Sequence, residues 1–312
     1  MTEMHYYFQS KEHEHAIHSL TQHELFDKVV VYLDEHQDIP ITLRHLKQVF
    51  HSEKGLEKII DRMIHYHLLQ RKEKHYALTF PIFSKKPEFP LIKSVFFKQF
   101  QQIDEKSQVW FLGEGCWRHF LKDSCGFFFG VSHSNDSFFQ KNQIKNDKIA
   151  FISIQNESSP SFTLPSYFKK LQLKSSLRKT EVDEFQQLQQ LLGDVSLDYF
   201  LAQAQYLVTR AAKKRKIPSK RNIFYESMLS TGIFSLTENH CFNLSYPLFD
   251  NKEENSINDL RDEWLDELTQ ILSLKNKSTE QIQYEKMCLY AQLLNHLKIQ
   301  KLNYIKIISS YK

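Results

Sequence analysis

Residues that turn or break the chain are scarce, since 312 residues include only 7 glycines and 8 prolines. Such a composition excludes collagen-like and low-complexity chains, and it argues against many tight glycine turns around a large cofactor. Cysteine is scarce too. Cys116, Cys125, Cys241 and Cys288 form no disulfide framework, and reduced thiols in a cytoplasmic setting are expected. No apolar run reaches the roughly 18 residues of a membrane span. The start, Met-Thr-Glu-Met-His, lacks the basic and apolar regions of a secretory signal. An excess of either sign of charge is nearly missing: 41 Lys and Arg face 37 Asp and Glu, for a formal net charge of +4. What is abundant is phenylalanine, at 25 residues within a 41% hydrophobic composition. A sizeable core is therefore expected, in one large domain or two to three modest ones.

Helical spacing organises the first 85 residues. Glu24 to Glu35 carries Leu25, Val29, Tyr32 and Leu33 on one face, and Leu43, Leu46, Val49 and Phe50 mark a short second helix capped by Thr42. Leu56, Ile59, Ile60, Met63 and Ile64 mark a third helix, starting near Glu53. Leu68 to Phe80, apolar at its ends and polar at its centre, predicts a β-hairpin with Tyr76, Leu78 and Phe80 turned inward. Three helices closed by a hairpin predict a winged helix-turn-helix.

A related pattern returns about 165 residues later. Ile59 to Ile64 aligns with Phe224 to Leu229, Leu68-Leu69 with Ile233-Phe234, and Tyr76 to Phe83 with Phe242 to Phe249, each strand running into a proline. Gly232 falls where a helix hands over to a strand. The expected fold is α+β and mainly helical, with two winged helices related by an internal repeat. The expected regions are 21–85, the first winged helix; 88–157, a helix plus a small α/β insertion; 166–250, helices and the second winged helix; and 256–312, a helical C-terminal region.

Between the modules, Gln108 to Leu112 predicts a buried strand, Glu114 to Leu121 a short helix, and Gly126 to Val131 and Lys148 to Ile154 two further strands. Val182 to Leu192 and Leu197 to about Lys214 predict helices, and Ser278 to Leu297 an amphipathic one. Helical patterns follow both hairpins, at Phe89 to Gln102 and Ile257 to Leu274, as duplication of a larger unit would produce.

Charge is unevenly distributed. Pro160 to Arg221 holds 12 basic and 5 acidic side chains, whereas Asp250 to Glu267 holds 8 acidic and 2 basic. Within the basic region, Arg210, Lys213, Lys214, Arg215, Lys216, Lys220 and Arg221 precede the third helix of the second module, and no acidic residue occurs from Tyr199 to Arg221. Cations so placed can neutralise DNA phosphates and release counterions, while Asn222 and Ser227 offer shorter polar contacts. In the first module Glu57, Lys58, Asp61 and Arg62 cancel, leaving Lys72 and Lys74 in the wing to straddle a phosphate. Solvated helix faces and a solvated basic turn are the competing readings.

Signals for catalysis are weak. His13-Glu14-His15 lacks a third metal ligand, and Cys116, His119 and Cys125 lack zinc-ribbon spacing. Gly113-Glu114-Gly115 falls between a predicted strand and helix, where backbone donors can cradle phosphate, but the longer glycine fingerprint is missing and Glu114 opposes an anion. Ser132, His133 and Asp136 do not make a triad by proximity alone. No catalytic residue, cofactor or metal is expected.

Leu25-Phe26-Asp27-Lys28-Val29, Tyr32-Leu33-Asp34, Ile41 to Lys47 and Tyr76 to Pro81 resemble an uncharacterised family of proteins from low-GC Gram-positive bacteria, a resemblance confined to the first 85 residues and implying no activity. Two winged helices in one chain more loosely resemble plasmid replication initiators and primosome-loading proteins. The expected function is a non-enzymatic cytoplasmic double-stranded-DNA-binding protein, a transcriptional regulator. The alternative is a protein-interaction scaffold in DNA replication, and a protein partner or homodimer is compatible with both.

Overall fold

The computed structural model describes residues 4–10, 12–122, 126–132, 138–157, 162–172, 183–213, 222–237, 242–250, 258–272 and 276–308. The chain begins with β1 (His5–Gln9), α1 (Glu14–Thr21), α2 (Glu24–Glu35), β2 (Ile41–Thr42), α3 (Leu43–Val49) and α4 (Leu56–His65). It continues through β3 (Leu69–Lys72), β4 (His75–Leu78), β5 (Ile82–Phe83), a 3-10 turn (Leu91–Lys93), α5 (Val95–Phe100), α6 (Glu105–Trp110) and a π-helix (Phe111–Phe120). Next come β6 (Phe127–Val131), β7 (Phe139–Lys145), β8 (Ile149–Asn156), α7 (Leu164–Gln172), α8 (Asp183–Leu192), α9 (Leu197–Ala212) and α10 (Ile223–Ser230). The last elements are β9 (Phe234–Leu236), β10 (Phe242–Leu244), β11 (Leu248–Phe249), α11 (Asn258–Ile271), α12 (Thr279–His296) and β12 (Lys301–Ile307). The fold is α+β, with helix in the larger share and several small sheets. Among the described residues no helix is long and apolar enough to cross a membrane.

The chain divides into two compact units, each drawn from three separate segments. Unit 1 combines Met1–Phe89, Leu121–Asp136 and Thr269–Tyr290. Here α2 buries Leu25, Val29 and Leu33 of the expected face together with Phe26 and Val30, leaves Tyr32 partly buried, and shares a core with Leu46 of α3 and Ile59, Ile60 and Met63 of α4. Thr42 starts α3 by accepting from the His45 amide at 3.3 Å. The hairpin β3–β4 turns through Glu73 (φ 50) and Lys74 (φ 69), the two left-handed positions that match strand twist in a two-residue turn. Its sheet runs β2-β4-β3. A second sheet runs β1-β6-β5, with β6 antiparallel to β1 and parallel to β5. From the third segment, Tyr284 stacks on Phe83 at 4.0 Å and donates to the Lys85 carbonyl at 2.8 Å.

Unit 2 combines Pro90–Phe120, Ser137–Leu268 and Ala291–Lys312. Its sheet runs β11-β12-β8-β7, with β12 antiparallel to β8 and parallel to β11. Alternation gives this sheet two different faces. Ile144, Phe151 and Ile305 enter a core with α7, α8, α9 and α10, whereas Lys141, Tyr304 and Lys306 meet residues of α6 and the π-helix.

The same bonds recur at two places in the chain. Leu68 N donates to Met63 O at 2.8 Å and Ile233 N to Met228 O at 2.9 Å; Thr79 N donates to Leu68 O at 3.3 Å and Ser245 N to Ile233 O at 2.9 Å. Gly130 N donates to Pro81 O at 3.0 Å and Ile305 N to Pro247 O at 2.9 Å. Gly232 sits at φ 71, and His67 occupies the matching left-handed turn at φ 56.

Several expectations need correction. Gln108 to Leu112 is helical, not a strand: Asp104 caps α6 by accepting from the Ser107 amide at 3.0 Å, and α6 runs straight into the π-helix. Val109, Trp110, Phe111 and Leu112 are all buried, so the run shows no helical period. Helix α12 is not amphipathic, because it buries Gln283 and Glu285 along with Tyr284, Leu289 and Leu293. The region 256–312 is not wholly helical, since it ends in β12.

Candidate nucleic-acid interface

The β3–β4 hairpin of unit 1 places Lys72 and Lys74 in the open, with Arg71 beside them and its guanidinium 5.8 Å from the Tyr76 ring centre. Glu73 is the one acidic residue from Gln70 to His75. Helix α4 is mixed in sign: Glu57 pairs with Lys47, Lys58 and Asp61 are exposed, and Arg62 reaches back to the Ala16 carbonyl at 3.3 Å. Arg71 is an addition to the residues expected from sequence. Its signal there is its place in an exposed hairpin that already offers two cations.

In unit 2, Lys214, Arg215, Lys216, Lys220 and Arg221 lie outside the described residues. Arg210 lies in the last turn of α9 and Lys213 caps that helix, exposed. Arg210 Nη1 donates to the Tyr206 hydroxyl at 2.7 Å. Asn222 is occupied as the cap of α10, its Oδ1 accepting from Phe224 N at 2.9 Å and Tyr225 N at 3.2 Å. Ser227 is fully buried and donates to the Phe224 carbonyl at 2.7 Å, so its hydroxyl serves the helix interior and has no open side from which to meet a ligand. Ile223, Tyr225 and Leu229 pack against the core, which leaves α10 with little polar surface. The exposed side chains missed from sequence are Tyr199 and Tyr206 on α9, each 56% exposed.

A second cluster, buried in unit 2, centres on Glu114 of the π-helix, which is 5% exposed. Its carboxylate accepts from Lys141 Nζ at 3.0 Å and the Tyr304 hydroxyl at 2.6 Å, and pairs with Arg118 at 2.6 Å and Lys306 at 3.5 Å. Lys141 Nζ also donates to the Gly113 carbonyl at 2.8 Å, and Lys306 lies 5.0 Å from the centre of the Trp110 ring. Burial pushes the Glu114 carboxyl up, but Lys141, Tyr304 and Arg118 together outweigh it and hold the group below the usual carboxylate range. Burial lowers the Lys141 ammonium; Glu114 opposes that, while Arg118 and Lys306 add to it. The glycines follow from packing: a Cβ on Gly113 would lie 2.5 Å from Tyr304 Cε1. Gly113-Glu114-Gly115 thus lies within a helix whose acidic member is enclosed by cations, not at a strand-to-helix phosphate turn. Among the described residues no group of three or more His, Cys, Asp or Glu is placed to hold a metal ion.

No curated protein and no solved structure matches the chain. Residues 5–108 match the family described as a domain of unknown function, DUF1803.

Proposed function

We propose that the protein binds double-stranded DNA through two winged helices and acts as a transcriptional regulator. The observation that carries this reading is the arrangement in unit 1: β2, α3, α4, β3 and β4 follow in that order, the sheet runs β2-β4-β3, and the hairpin tip is exposed and basic. A helix of this kind enters the major groove while the wing holds the backbone. The bonds repeated around Leu68 and Ile233 support a second module built on α9, α10, β9 and β10, with the basic run from Arg210 to Arg221 on phosphates. Lys213 and the wing cations Arg71, Lys72 and Lys74 are the described members of the proposed phosphate-binding set. The sparse polar surface of α10 favours the scaffold reading for the second module alone, in which it docks a protein partner.

The repeat supports a wider duplication. Phe83 of β5 stacks with Tyr284 at 4.0 Å and meets Phe129 of β6 at 5.6 Å; Phe249 of β11 meets Trp110 at 5.0 Å and Tyr304 of β12 at 5.7 Å. Pro90–Phe120, which follows the first hairpin and carries α5, α6 and the π-helix, belongs to unit 2, and Thr269–Tyr290, with most of α12, belongs to unit 1, so we read the chain as a duplicated unit with exchanged segments.

Fluorescence polarisation with labelled duplex DNA at two salt concentrations tests the function. The wild type is expected to bind, less tightly at higher salt, and Lys213, Lys214, Arg215 and Lys216 changed together to Ala to lose most of the signal. A folded wild type that binds no duplex overturns the reading and favours the scaffold.

A further inference from the structure

Helix α9 presents two aromatic rings to solvent on one side of a stretch without acidic residues. Tyr199 and Tyr206 stand two turns apart, about 10 Å along the axis. Each is 56% exposed, yet neither ring hangs free. Tyr199 meets Phe224 edge-on at 5.5 Å and 81°. Tyr206 is held through its hydroxyl by Arg210 at 2.7 Å, with the guanidinium 5.5 Å from the ring centre. Lys213 follows, exposed, at the helix end, and Asp198, at the other end, is the one acidic residue of α9.

Comparison with α2 shows what is particular to this face. Core positions correspond in order: Leu25, Phe26, Val29 and Leu33 of α2 are buried, as are Phe200, Leu201, Ala204 and Val208 of α9. The surface does not correspond. Where α9 has Tyr199, Tyr206 and Arg210, α2 has Glu24, Val31 and Glu35. The buried positions of α9 match those of α2, which carries no aromatic ring at either of the two surface positions.

We propose that this face of α9 binds single-stranded nucleic acid, with unpaired bases stacking on Tyr199 and Tyr206 while Arg210 and Lys213 meet the phosphates. The inference rests on the nucleic-acid reading above and adds a single-strand site to it. Aromatic faces among cations suit unstacked bases, since every base has a π-face and a paired duplex keeps those faces inside its stack. Rings already held by Phe224 and Arg210 lose little freedom on binding, which favours affinity.

The test compares a labelled single strand of mixed sequence with the same sequence as a duplex, by fluorescence polarisation on the full chain. Each stacked base contributes about 5- to 150-fold in affinity. The variant Tyr199→Ala/Tyr206→Ala is accordingly expected to lose at least tenfold in single-strand affinity and to keep its duplex affinity. Tyr199→Phe/Tyr206→Phe keeps both π-faces and is expected to bind single strands nearly as the wild type does. Unchanged single-strand affinity in the Ala variant, with duplex binding intact, overturns this inference alone. A folded protein that binds neither form overturns it together with the DNA reading. If the Ala variant does not fold, photo-cross-linking of the wild type to a 5-iodouracil strand decides: adducts on Tyr199 or Tyr206 support the platform, and adducts elsewhere only overturn it.

Discussion

Gly113 and Glu114 show how two adjacent residues fix a packing arrangement at long sequence range. A methyl group on Gly113 would lie 2.5, 2.8 and 2.9 Å from Cε1, Cζ and the hydroxyl oxygen of Tyr304. The ring is fully buried and bonded to Glu114, so it cannot swing aside cheaply. Gly113→Ala is expected to destabilise the protein by about 1–3 kcal/mol, as overpacking does, and trimming Tyr304 to Leu in the same chain to return part of that loss. Urea midpoints of the single and double variants check both. Glu114→Gln leaves Lys141 and Lys306 without their anion, and removing one side of a buried pair costs on the order of 3–5 kcal/mol. The pH dependence follows from its lowered carboxyl. A depressed folded value contributes stability that is present above the unfolded value, about 4.3, and is lost as pH falls through the folded value. Wild-type stability should therefore drop as pH falls below about 4, and the Gln variant should lack this contribution to that drop. Equal acid slopes in urea unfolding would show that Glu114 is not ionised in the fold.

At the scale of elements, the β3–β4 hairpin offers a separable test because Arg71, Lys72 and Lys74 lie on exposed surface. Arg71, Lys72 and Lys74 changed to Ala should shift stability by no more than about 0.5 kcal/mol. The same change should lower the slope of log affinity against log salt by about 0.9 for each phosphate left without its cation. A variant with full duplex affinity and the wild-type slope would remove the wing from the interface. What can be read from sequence follows the range of the interactions. Helix α2 begins and ends where its spacing puts it, Thr42 caps α3 as expected, and the hairpin from Leu68 to Phe80 closes as expected, because each depends on residues within a few positions. Strands β1 and β12 are not legible in the sequence, since each is matched only by partners far along the chain, as Tyr304 pairs with Ile152, and β7, though it pairs with the neighbouring β8, carries a polar run from Gln140 to Gln143 that shows no alternation. The run from Gln108 to Leu112 misleads because burial on all sides erases the period that separates helix from strand. Site residues divide the same way. Lys72 and Lys74 can be placed as exposed from the hairpin alone, whereas Ser227, polar and near the basic run, turns inward to Phe224. The partners of Glu114 cannot be read at all, with Tyr304 lying 190 residues away.

For the whole molecule, the proposed duplication makes an unusual demand on connectivity. Unit 1 needs Thr269–Tyr290, and unit 2 needs Pro90–Phe120, so neither half of the chain contains a complete unit. The aromatic contacts state this at single residues. Phe83 and Phe129 from the first half enclose Tyr284 from the second, and Phe249 and Tyr304 from the second pack with Trp110 and Gly113 from the first. A break between the halves should then separate the covalent chain without separating the units. A protease site inserted at the polar Ser134-Asn135 makes that break in the chain. After cleavage the two fragments are expected to run together in size-exclusion chromatography and to part only in denaturant, with association now dependent on concentration because loop closure no longer joins them. Each half expressed alone would expose a sheet face lacking its aromatic partner, and should recover on mixing with the other half. Fragments that separate in native buffer and stay folded would show that each half completes its own unit. Persistent pairing would mean that each unit is completed by a segment of the opposite half, Thr269–Tyr290 in unit 1 and Pro90–Phe120 in unit 2.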